Sequence, residues 1–112
     1  MPVNVAVVGK SGELLYGPGA VKLSKSNSPG ATALGSLEAT GLPFDFSRRY
    51  PDLVEAIAGL RNKGQAGWLY KINDDVPLIA AGKKPVQAND RVIWWYSDSI
   101  NDPPPSWDKL AK

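Results

Sequence analysis

The sequence predicts an α+β domain: a small mixed sheet of about five short strands with one helix packed on one face. Three observations lead to it. Apolar and polar residues alternate with period two in several separated stretches. One stretch carries helical spacing between a cap and a stop. The order is hairpin, helix, further strands, which is the element order of a β-grasp-like domain.

The first strand is VNVAVV, in which Val3, Val5 and Val7 alternate with Asn4 and Ala6. Lys10 to Glu13 is a turn, and Leu14-Leu15-Tyr16 begins a second strand. Gly17-Pro18-Gly19 interrupts that strand, which resumes where Val21 and Leu23 flank Lys22, so the opening is a β-hairpin. Ser24 to Gly30 is a polar loop. Thr32 can cap a helix over Ala33 to Thr40, with Leu34 and Leu37 on one face and Gly41 as its stop. Gly35 lowers helix propensity by about 1 kcal/mol relative to alanine, so tertiary packing must hold this helix.

Leu42 to Pro51 reads as irregular. The stretch DLVEAIAGL, Asp52 to Leu60, fits either a short helix capped by Asp52 or a strand over Leu53 to Ile57. Trp68, Tyr70 and Ile72 alternate with Leu69 and Lys71 in a strand that Asn73-Asp74-Asp75 turns. Val76 to Ala81 contains a proline and is an edge strand or an ordered loop. After the turn at Ala88-Asn89-Asp90, Arg91 to Ser97 is the last strand. The domain is placed at residues 1–98. Residues 99–112 carry three consecutive prolines, which prevent a strand or helix and make a tail or linker in extended polyproline conformation.

The last strand, RVIWWYS, puts Val92, Trp94 and Tyr96 on one face and Ile93 and Trp95 on the other. One face can pack on a core. The other needs a cover, since burying a tryptophan removes roughly 200 Å² from water, worth up to ~5 kcal/mol. A loop, the tail with Trp107, or a partner can supply it. With Trp68 and Tyr70 on a neighbouring strand, these rings would form an aromatic platform, the kind of surface that stacks flat ligands.

Composition removes most other chemistries. A chain of 112 residues suits one domain with one core. A net charge of +2 without a basic run gives no case for a nucleic-acid partner. The absence of cysteine and histidine removes thiol nucleophiles, imidazole bases, most zinc sites and the Ser-His-Asp triad. No apolar run approaches the ~20 residues of a membrane span. No basic region precedes the first apolar run, so the N-terminus is not a signal peptide; the residues fit an intracellular protein or an excised domain with a start methionine added. Asp74 and Asp75 are turn neighbours that point apart, and Asp90 sits in a second turn. Gly17-Pro18-Gly19 lacks the pattern of a phosphate loop. No catalytic residue and no metal ligand is assigned.

One longer stretch adds to this reading. Gly67-Trp68-Leu69-Tyr70, Asn73, Gly82 and Asp90-Arg91-Val92-Ile93-Trp94, in this order and spacing, resemble the C-terminal β-domain of transcobalamin and intrinsic factor. They resemble still more closely the bacterial cell-surface domains of unknown function of that type. ATALGSLEATGL is similar to that family's helix and VEAIAGL to one of its strands, so the resemblance covers about Val3 to Ser97. It implies a β-grasp-like fold, a strand rather than a helix at DLVEAIAGL, and no enzymatic activity. In the vitamin carriers the domain closes over one face of cobalamin, against a separate helical-barrel domain that these 112 residues do not include. Carried over by position, the ligand contacts are Trp68, Leu69, Tyr70, Leu78 and Ile79. The resemblance thus implies a binding or interaction module of an extracellular or cell-surface protein. Its partner would be a flat small molecule, cobalamin among them, or an adjacent protein domain, with no resident cofactor. The alternative is a structural spacer or docking domain without a small-molecule ligand.

Overall fold

Val3, Val5 and Val7 have no exposed surface, so the alternation at the N-terminus is the core face of a strand. The computed structural model describes residues 2–23, 31–64, 66–77, 79–97 and 105–110. In chain order the elements are β1 (Pro2–Val8), β2 (Leu14–Lys22), α1 (Ala33–Ala39), β3 (Phe44–Phe46), β4 (Val54–Ile57), β5 (Leu60–Arg61), β6 (Gly67–Ile72), a 3-10 turn (Ala81–Lys83), β7 (Arg91–Ser97) and α2 (Trp107–Leu110).

The main sheet has the strand order β2-β1-β7-β6. β1 and β7 run parallel and the other pairs antiparallel, so the sheet is mixed. A second sheet, β3-β4-β5, is antiparallel. The chain is therefore an α+β structure dominated by strands, but with seven strands in two sheets among the described residues rather than about five in one. The extra strands, β3 and β5, have three and two residues, too few for alternation to show. β3 lies inside the stretch expected to be irregular. The segment 52–60 holds strand β4, and Val76, Pro77, Ile79 and Ala80 lie in loop.

β2 runs unbroken through Gly17-Pro18-Gly19 because its register against β1 shifts between Val5 and Val7. Gly17 has φ +69°, and a Cβ there would run into the Val5 carbonyl oxygen, so only glycine fits. The Thr32 hydroxyl accepts from the Gly35 N–H at 3.0 Å and caps α1, and Gly41, at φ +80°, follows the helix end. Leu37 of α1 is fully buried against the sheet, and this packing answers the low propensity of Gly35.

The two faces of β7 enter two clusters. Val92, Trp94 and Tyr96 join the main core with Val3, Val5, Leu37, Trp68 and Tyr70. Ile93 and Trp95 join Val8 on the opposite face, and Trp107 and Leu110 of α2 pack over them. The tail is thus the cover for the second face. The expectation of an extended tail without helix fails over Trp107–Leu110, where one helical turn forms. Pro105 is the last proline, and the residues after it are free to coil, with Lys109 and Leu110 N–H groups donating to the Ser106 carbonyl oxygen at 3.1 and 3.2 Å. The first part of the tail, 99–104, lies outside the described residues.

Candidate functional site

β6 is the last strand of the main sheet, so one of its edges is open. The Trp68 N–H donates to Asn62 Oδ1 at 2.8 Å and the Ile72 N–H to the Asp75 carbonyl oxygen at 2.8 Å. Both groups turn away from β7. By the two-residue period of a strand, the main-chain N–H and C=O of Tyr70 between them face the open edge as well.

Around this edge lies an apolar cavity of about 160 Å³. Its walls come from three places: Leu53 and Val54 at the start of β4, Trp68 to Tyr70 of β6, and Val76, Pro77 and Ile79 to Ala81 of the segment that follows. Trp94 of β7 also lines it. Each wall is held by side-chain hydrogen bonds. Trp68 Nε1 donates to the Leu60 carbonyl oxygen at 2.7 Å, and the Tyr96 hydroxyl to that of Arg61 at 2.7 Å, so the rings of the main sheet hold β5 in place. Asn62 adds a bond from Nδ2 to the Val54 carbonyl oxygen at 3.4 Å. Gly67 lies directly under Asn62, where a Cβ would come within 3.1 Å of its amide carbon. The Tyr70 hydroxyl donates to the Ile79 carbonyl oxygen at 2.6 Å and fixes the loop.

Four of the five residues expected at the site, Trp68, Leu69, Tyr70 and Ile79, line this one cavity. Leu78 lies outside the described residues. The four play different parts. Trp68 and Tyr70 are buried, while Leu69 and Ile79 are 41% and 49% exposed. Leu53 and Val76 are exposed beside them. The open aromatic platform is not what forms: Trp68, Tyr70, Trp94, Trp95 and Tyr96 are all buried. Paired across β6 and β7, Trp68 meets Tyr96 edge-on at 5.5 Å and Tyr70 stacks on Trp94 at 5.2 Å, so the rings satisfy each other. The accessible part of the cleft is aliphatic apart from Asp52.

The site has few polar groups. Burial, and secondarily the Asp75 carboxylate, raises the Tyr70 phenol above its ordinary value of 10.0, so it is a neutral donor at neutral pH. The indole N–H groups of Trp94 and Trp95 are buried without an acceptor among the described residues. Sequence reasoning misses Leu53, because DLVEAIAGL leaves its conformation open, and Asn62, to which no sequence pattern points. Among the described residues no group of three or more acidic side chains gathers to hold a metal ion. No helix there is long and apolar enough to cross a membrane.

The sequence pattern of the family described as Domain of unknown function (DUF4430) matches residues 30–98. Among solved structures, the chain is similar to one described as Crystal Structure of Haptocorrin in Complex with Cbi, with a TM-score of 0.62 over 89% of this chain at 14% identity. At that identity the likeness is one of fold. This chain spans 26% of the haptocorrin chain, about a quarter of its length. No curated protein matches.

Proposed function

The chain belongs to the DUF4430 family, whose pattern covers well over half of it, and from that premise we propose that it is a non-catalytic recognition module working through the cleft at the β6 edge. The observation that carries this reading is the convergence of Trp68, Leu69, Tyr70 and Ile79 on one apolar cavity. Exposed Leu53, Leu69, Val76 and Ile79 surround it with aliphatic surface. Such a patch gains free energy when a ligand removes it from water. The cavity, at about 160 Å³, falls below the ~300 Å³ of pockets that enclose a drug-sized molecule. It suits the edge of a larger flat ligand, and a corrinoid is the one we propose. The haptocorrin likeness supports that choice, because haptocorrin is there in complex with Cbi. The main sheet with α1 against it is read as a β-grasp arrangement, on the strength of its mixed strand order. The proposed setting is the cell surface, as one domain of a secreted protein.

Calorimetric titration with a corrinoid tests the reading. The expected result is a saturable heat with a dissociation constant near the millimolar range, about −4 kcal/mol, since a single domain covers one face of the ligand. Leu69→Asp should abolish it. Absence of a saturable heat at millimolar corrinoid overturns the corrinoid assignment.

A second reading, a docking or spacer domain without a small-molecule ligand, draws on Trp107 and Leu110. By packing over Val8, Ile93 and Trp95 they make the outer face of the sheet self-sufficient. Insensitivity of stability to loss of the tail would count against it.

A further inference from the structure

Lys71 stands on the outer face of β6, directly across from Ile93 and outside the lining of the cleft. It is only 8% exposed, yet among the described residues its side chain forms neither a hydrogen bond nor an ion pair. An ammonium buried without a partner is costly. Its nitrogen is not among the buried atoms sealed from solvent, so the stem is covered while the charge opens onto the space that Lys71 lines. That space is a cavity of about 220 Å³ between the end of β6 and α2, lined also by Asn73, Asp74, Arg91, Ser106, Trp107 and Asp108.

Arg91 is the second cation there. Its guanidinium stands 5.9 Å from the centroid of the Trp107 ring and forms no ion pair among the described residues. Asn73 is already engaged: its Oδ1 accepts from the Arg91 N–H at 3.1 Å and its Nδ2 donates to Asp90 Oδ1 at 3.2 Å. Asp74 and Asp108 are exposed, and neither forms an ion pair with Lys71 or Arg91. Water satisfies these exposed carboxylates and also reaches the Lys71 ammonium from the cavity, where an oxyanion can displace it. We propose that this cavity is a binding site for a small oxyanion, a carboxylate or phosphate group. Lys71 and Arg91 supply the positive charge, and the Ser106 hydroxyl is a further donor. The site shares no lining residue with the cleft and is independent of what the cleft binds.

The test is a chemical-shift titration of the whole chain with sodium acetate in one arm and inorganic phosphate in the other, at constant ionic strength. Saturable shifts at Lys71, Arg91 and the Trp107 indole are expected with at least one of them, and the arm that saturates identifies the anion. Lys71→Met keeps the stem's packing and removes the charge, so binding should weaken about tenfold or more. Arg91→Gln reads the second cation and should weaken binding in the same direction; it carries the test if Lys71→Met does not fold. No saturable shift in either arm, or binding unchanged in the folded variants, overturns the proposal.

Discussion

The Tyr70 hydroxyl donates a 2.6 Å hydrogen bond to the carbonyl oxygen of Ile79. This bond ties the open-edge strand to the loop that forms the far wall of the cleft. Its ring stacks on Trp94 within the core. One side chain therefore couples the packing of the main sheet to the shape of the candidate site. Tyr70→Phe keeps the ring and removes the bond. The expected loss of stability is about 1 kcal/mol in chemical denaturation. Faster amide exchange in residues 79–83 should accompany it, and unchanged exchange there would show that the loop is held by other means.

The raised pKa of the Tyr70 phenol gives a pH dependence of defined sign. The folded value lies above the unfolded 10.0, so the unfolded chain loses this proton first. The contribution is complete below pH 10 and is lost as pH rises through the higher folded value. Stability measured by denaturant titration should therefore fall above pH 10, and Tyr70→Phe should make this limb shallower. A limb of equal slope in the variant would remove Tyr70 as its source.

Trp107 is half-buried over Ile93 and Trp95. Trp107→Ala should cost about 2 kcal/mol, less than a fully buried ring, with a matching increase in binding of a hydrophobic dye. Deleting residues 100–112 should cost at least as much. A neutral outcome for both would mean that the outer face is stable without its cover.

Gly17 has a positive φ and no room for a Cβ beside the Val5 carbonyl oxygen. Gly17→Ala should destabilise by at least about 2 kcal/mol, from the left-handed backbone and the displaced β1–β2 pair together. Thermal unfolding reads this directly.

The long alternating strands were legible in the sequence because a half-buried strand writes its two faces into residue types. Val3, Val5 and Val7, and then Val92, Trp94 and Tyr96 against Ile93 and Trp95, sort into the clusters their spacing assigns. The cap at Thr32 was legible for the same local reason. What could not be read was set by contacts between distant residues. β5 exists because the Trp68 and Tyr96 donors reach the carbonyl oxygens of Leu60 and Arg61, and nothing in the Leu60-Arg61 dipeptide announces that. The burial of the rings depended on Trp68 and Tyr70 standing directly across from Tyr96 and Trp94, a register that period alone leaves open. The aliphatic character of the cleft followed from that burial: with the rings turned inward, Leu53, Leu69, Val76 and Ile79 were left at the surface.

Two-dimensional amide and indole spectra recorded while a corrinoid is added to millimolar concentration address the β6-edge cleft most directly. The expected outcome is a saturable set of shifts confined to residues 67–79, Leu53 and the Trp94 indole, with the Trp107 indole unmoved. Spectra in which residues 67–79 stay unchanged throughout would contradict the assignment of the cleft as a corrinoid-binding surface.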